Sequence, residues 1–110
     1  MNTIEDWIQK LRESRKLIIV EGKKDKEALE SFGIKNIVTF SNSSYLSIEN
    51  INEKEVIILT DLDAHGKKLY SILRNNLQKN GIKIDNKFRK FLFKETNITN
   101  IESLKKLNFY

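Results

Sequence analysis

The chain has 110 residues, with 20 Lys and Arg against 15 Asp and Glu and a formal net charge of +5. That length fits one domain with a modest core, and the absence of Cys excludes disulfides, thiolate nucleophiles and every cysteine-ligated metal site. A single His argues against a His-rich zinc site, no apolar run approaches the roughly 20 residues of a membrane helix, and MNTIEDWIQK lacks a signal-peptide core. The expectation is a cytoplasmic domain, away from the membrane, whose chemistry comes from oxygen, hydroxyl or amine groups.

In chain order, Ile4, Trp7, Ile8 and Leu11 fall at i, i+3, i+4 and i+7, which predicts an amphipathic helix over residues 3–14. Thr3 and Asp6 suit its start, and Arg12, Arg15 and Lys16 suit its C-terminal end, where the helix dipole favours positive charge. Leu17-Ile18-Ile19-Val20 is a short, mostly β-branched apolar run of the kind buried on both faces of a parallel sheet, and it stops at Glu21-Gly22. A second helical pattern over residues 23–32 places Ala28, Leu29 and Phe32 together, with Gly33 as its stop.

Ile37–Phe40 reads as a second strand, followed by the polar turn Ser41-Asn42-Ser43-Ser44 and an ambiguous stretch with a short helix over Ser47–Ile51. Val56-Ile57-Ile58-Leu59 is the clearest strand, and it runs into Thr60-Asp61-Leu62-Asp63. A long helix through Leu69, Ile72, Leu73 and Leu77 should end at Asn80-Gly81. Residues 82–94 are expected to hold a fourth extended segment, with Phe88–Phe93 the favoured place, and the capping-box spacing of Thr99 and Glu102 predicts a final helix over 99–107. Strands alternating with helices predict one α/β domain with a mainly parallel sheet of about four strands, helices covering both faces in three layers.

Both central strands end in acid, Glu21 after the first and Asp61 with Asp63 after the third. Ligands of open α/β sheets bind beyond the carboxyl ends of the strands, and residues two apart in extended backbone point the same way. If the two strands are neighbours, three carboxylates converge, and their mutual repulsion calls for a hard cation. Mg²⁺ suits oxygen ligands and uses one or two carboxylates together with water and substrate phosphate. Singly, each piece has a plainer explanation: an Asp at a strand end commonly caps the next helix, Glu-Gly is ordinary turn chemistry, and Asp25 suits a helix first turn.

The run from Leu17 to Asp25, with its strand and Glu-Gly-x-x-Asp, resembles the first motif of the Toprim family, shared by topoisomerases, bacterial-type primases and certain nucleases. Val56 to Lys68, with its strand, Asp-x-Asp and Gly66, resembles the second, and Asn36–Phe40 with its polar turn stands where the family has its second strand. The resemblance covers about residues 15–95 and implies a compact, Rossmann-like Toprim fold. It implies Glu21 as the proton-transfer group that also touches metal, Asp61 and Asp63 as ligands of Mg²⁺ (or Mn²⁺), and Gly22, Asp25 and Gly66 as structural motif positions. His65 stands where related sequences vary and reads as a surface residue or phosphate contact. Tyr45, Tyr70 and Tyr110 lack the gate domains of a topoisomerase, and the zinc module of a primase is missing. In size and layout the chain is similar to the 5S ribosomal RNA-maturing ribonuclease and to short stand-alone Toprim proteins.

Charge is unevenly spread. Residues 1–62 carry 9 basic and 11 acidic groups, whereas residues 63–94 carry 9 basic groups against only Asp63 and Asp85. A local excess of that size suits a polyanion such as RNA or DNA, although a solvated lysine surface explains it as simply. Lys23, Lys24 and Lys26 follow the Glu motif, and Lys67 and Lys68 follow the Asp-x-Asp. There, at helix starts, positive charge opposes the dipole while exposed N–H groups favour phosphate. Arg74, Lys87, Arg89 and Lys90 extend the candidate track, and no interleaved aromatic pattern marks a single-strand stacking platform. The functional expectation is a Mg²⁺-dependent nuclease, and its alternative a non-catalytic nucleic-acid-binding module, homodimeric or within a larger assembly. A small-nucleotide-binding protein is disfavoured by the lack of a P-loop or GxGxxG.

Overall fold

The computed structural model describes residues 1–40 and 51–107. The elements run α1 (Ile4–Glu13), β1 (Leu17–Val20), α2 (Lys23–Glu30), β2 (Ile37–Thr39), β3 (Glu55–Leu59), α3 (Ala64–Lys79), β4 (Lys83–Asp85), α4 (Lys87–Glu95) and a 3₁₀ helix (Glu102–Lys106). The expected turn at Ser41–Ser44 and most of the short helix over Ser47–Ile51 lie outside the described residues, as do Tyr45 and Tyr110.

All pairings in the four-stranded sheet are parallel, in the order β2-β1-β3-β4. In register, Leu17 stands beside Val56 and Val20 beside Leu59, so β1 and β3 end level with one another. The chain moves outward from β1 to β2, then returns to the other side of β1 for β3 and β4. The gap between β1 and β3 is therefore the switch point of the sheet, where a crevice opens beyond the strand ends.

Alternation along the strands divides the core into two layers. Ile18, Val20, Ile57 and Leu59 face Trp7, Leu11, Leu29, Phe88 and Leu92, which come from α1, α2 and α4. Ile19, Val56 and Ile58 face Leu69, Leu73 and Leu77 of α3. The α/β, three-layer expectation holds. A buried hydrogen bond from Trp7 Nε1 to the Phe88 carbonyl, 2.8 Å, locks α1 to α4. Beneath the opposite end of the sheet, Lys16 Nζ bridges Asp85 at 2.8 Å and Glu55 at 3.1 Å. Asp85 is buried, and the hydrogen bond it accepts raises the Lys16 ammonium above its ordinary pKa.

Helix limits follow local chemistry. Thr3 Oγ1 accepts from Asp6 N at 3.0 Å to start α1, and Gly33 and Gly81, with φ of 78° and 76°, end α2 and α3 in left-handed turns that an L side chain disfavours. Two expectations need correction. The fourth strand is Lys83–Asp85, and Phe88–Phe93 belongs to helix α4. Phe88 and Leu92 are buried at a spacing of i and i+4 with lysines on the outer side, so helical burial overrides the strand preference of phenylalanine. The C-terminal element is a 3₁₀ turn of five residues without a Thr99–Glu102 capping box; Asn100 Oδ1 instead accepts from Ser103 N at 2.9 Å.

Gly66, in the first turn of α3, fixes how closely that helix approaches the end of β3. A Cβ built there would lie 2.2 Å from the Asp61 carbonyl oxygen, a backbone atom that cannot swing aside. Gly66→Ala is therefore expected to cost about 3 kcal/mol or more by overpacking, against about 1–2 kcal/mol for Gly81→Ala, which meets only left-handed strain in open space. Urea denaturation of the two variants checks the ranking; equal losses would show that α3 shifts to accommodate a methyl group.

Candidate active site at the sheet switch point

Glu21 is the first residue after β1 and Asp61 the second after β3, so the level strand ends bring them side by side. The Asp61 backbone N–H donates to Glu21 Oε2 at 2.6 Å. The other oxygen, Oε1, lies 3.7 Å from His65 Nε2 at the start of α3. The two acidic strand ends are thus joined by an interaction that crosses the switch point.

Asp61 is held from a third direction. Its Oδ1 accepts from Ile101 N at 3.0 Å, while the neighbouring Leu62 N–H donates to the Thr99 carbonyl at 2.9 Å. Burial pushes the Asp61 pKa up to about 6; the Ile101 hydrogen bond opposes that shift, and the charges of Glu21, Asp25 and Asp63 add to it. Asp63 stands at the exposed rim, where its Oδ1 accepts from Gly66 N at 2.7 Å and caps α3. Thr60 Oγ1, fully buried, donates to the Gly66 carbonyl at 2.8 Å, so the loop and the helix start are tied by two bonds of opposite sense.

Gly22 is the extended N-cap of α2, and its N–H donates to Asp25 Oδ2 at 3.1 Å. Asp25 is 8% exposed, and burial raises its pKa, with the Glu21 charge adding to the effect. It serves the local turn and also contributes negative potential to the site. The expected convergence of Glu21, Asp61 and Asp63 is only partly realised, because Asp63 is turned toward the start of α3. Among the described residues, no three His or acidic side chains gather closely enough to cage an ion.

A hard divalent cation fits this donor set as an open site. The donors are carboxylate oxygens, and Asp61 Oδ2 and Asp63 Oδ2 accept no hydrogen bond among the described residues. The negative charges that raise the Asp61 pKa would be relieved by a cation. One or two carboxylates completed by water is the usual arrangement for Mg²⁺.

The basic residues divide into two groups. Lys23 and Lys24 in the first turn of α2, Lys67 and Lys68 in α3, and Arg74 farther along α3 are all exposed. The Arg74 guanidinium lies 5.9 Å from the centre of the Tyr70 ring. Arg89 faces inward: its Nε donates to the Thr60 carbonyl at 3.0 Å and an Nη to the Asp61 carbonyl at 2.8 Å. Its guanidinium also lies over Tyr70 at 4.5 Å and Phe93 at 5.1 Å. Burial lowers the Arg89 pKa, partly offset by interactions with Tyr70, Glu21 and Asp61. The geometry makes Arg89 a clamp on the backbone that carries Asp61. Sequence reasoning missed that task and the support from Thr60, Thr99 and Ile101. Most of these contacts use backbone groups, which leave no mark on residue type, and Arg89 reaches the loop only because α4 is a helix.

The comparisons agree with this architecture. A sequence model described as the Toprim domain matches residues 15–86. The UPF0292 protein of Methanocaldococcus jannaschii is 38% identical over 102 residues, covering 86% of this chain and 80% of the relative. The Pyrococcus furiosus UPF0292 protein is 41% identical over 68 residues, and there the match spans about half of the relative, 52% of its length and 59% of this chain. A solved structure of a protein from Aquifex aeolicus superposes with a TM-score of 0.85 at 34% identity, covering 94% of this chain and 99% of the other. With the two motifs at adjoining strand ends and the domain match spanning most of the chain, the protein belongs to the Toprim family.

Proposed function

We propose that this Toprim protein is a Mg²⁺-dependent nuclease that cleaves phosphodiester bonds, of the RNA-maturation type. The observation that carries the reading is the hydrogen bond between Asp61 N and Glu21 Oε2, which holds an acid from each motif at the switch point of a basic domain. Asp61 and Asp63, with Glu21 beside them, would hold the ion. Mg²⁺ or Mn²⁺ there supplies positive charge against the phosphate and its leaving oxygen. Glu21 is anchored through Oε2, which leaves Oε1 to exchange a proton with water or a substrate hydroxyl. Lys23, Lys24, Lys67 and Lys68 orient the phosphate backbone, and Arg89 keeps the Asp61 loop in place.

One observation favours a second reading. The acidic site is open, without a three-ligand cage among the described residues, so a binding module completed by a larger assembly also fits. That module would show salt-sensitive nucleic-acid binding without turnover.

Cleavage of structured RNA and single-stranded DNA, screened with Mg²⁺ and Mn²⁺, separates the two. Glu21→Gln should abolish cleavage; activity that persists in Glu21→Gln, Asp61→Asn and Asp63→Asn would remove the assignment. Stability gives an independent check. With the folded Asp61 value near 6 and the ordinary value at 3.8, the folded state holds the extra proton between those limits. The Asp61 contribution to stability is therefore complete below about pH 4 and is lost as pH rises through about 6. Metal-free Asp61→Asn should melt above wild type at pH 7.5, with the advantage shrinking toward pH 4.5. Saturating Mg²⁺ should raise the wild-type Tm and leave that of Asp61→Asn nearly unchanged. Arg89→Lys, which cannot span both carbonyls with a planar fork, should weaken Mg²⁺ binding by about tenfold in a titration.

A further inference from the structure

Eight of the nine basic residues of 63–94 lie on two helices, α3 and α4, and a groove of about 370 Å³ is formed by residues of those helices and the loops that precede them. Leu62, the residue between the two aspartates, is part of its lining, so the groove borders the loop that carries the acids. Tyr70 and Phe93 supply its aromatic surface, and Lys90 and Lys94 its exposed basic rim. Arg89 lies over both rings and fixes them relative to the Asp61 loop. A second cleft beside α4, lined also by Met1 and Phe91, shares Lys90 and Lys94 and adds Lys87.

We infer that this α3–α4 groove, beside the acid-bearing loop, holds a single-stranded nucleic acid, with a base against Phe93 and Tyr70 and flanking phosphates on Lys90 and Lys94. The inference rests on the nucleic-acid reading above and adds the strand form and the place where it binds. A volume of about 370 Å³ lies at the small end of the range for small-molecule pockets and leaves room for a splayed base. Aromatic faces beside a basic rim are the surface that binds unpaired strands with little regard to sequence, because every base has a face to stack. The linear sequence hides this platform: Tyr70 and Phe93 stand 23 positions apart, on different helices.

Fluorescence anisotropy tests it, with labelled oligo(U) and oligo(dT) of about 12 nucleotides and a duplex of equal length, in Ca²⁺ to suppress turnover. Wild type should bind either single strand about tenfold or more tightly than the duplex. Lys90→Glu/Lys94→Glu should lose about tenfold or more, whereas Lys79→Glu/Lys83→Glu, an equal charge change at the opposite end of α3 and the start of β4, should lose only about twofold to threefold. Phe93→Leu, which keeps apolar volume, should lose about fivefold for single strands and leave duplex binding unchanged. Equal losses from the two lysine pairs, or preference for duplex, would overturn the groove. In that event, Glu21-dependent cleavage by the groove variants at the wild-type rate would leave the nuclease reading standing. Absence of both cleavage and binding in wild type would remove both.

Discussion

The site depends on keeping like charges together. Glu21 and Asp61 come from neighbouring parallel strands that end level, and separation by even one register step would part them. Their association is stabilised indirectly: Glu21 accepts the backbone N–H of Asp61, while the Asp61 carboxylate accepts from Ile101. Neither bond removes the negative charge, so the fold maintains an electrostatic tension that a cation can relieve. Rigid packing opposes its release, since β1 and β3 are buried on both faces and Gly66 presses α3 against the loop.

The surrounding structure divides support from contact. Thr60, Arg89, Thr99 and Ile101 hold the Asp61 loop through backbone atoms, whereas exposed lysines on α2, α3 and α4 are free to meet a polyanion. Arg89 stands at the boundary, bonded to the loop and stacked on the aromatic wall of the groove. The aromatic wall of the groove is therefore connected to the carbonyl of Asp61 through one guanidinium.

Much of the sheet was legible in the sequence because parallel strands buried on both faces leave continuous runs such as Leu17–Val20 and Val56–Leu59. Helix limits were legible where chemistry marks them, at Thr3, Asp63, Gly33 and Gly81. Phe88–Phe93 misled because short apolar runs do not distinguish strand from helix until the partner face is known. The motif acids were identified from spacing, and capping is the plainer role of an Asp at a strand end, yet nothing in that spacing says which of the two aspartates caps α3 or that a C-terminal 3₁₀ segment secures Asp61. Those are tertiary choices, made by backbone groups that every residue type shares.

The bonds at Asp61 carry a consequence for how the protein comes into being. Glu21 to Asp61 and Asp61 to Ile101 are each separated by 40 positions. On the ribosome, at about 5–20 residues per second, the second partner of each bond follows the first by about 2–8 s. The acidic loop therefore emerges without the segment that secures it, and the nascent chain carries its motifs before it has a finished site. The last clasp can close only once Ile101 is free of the tunnel.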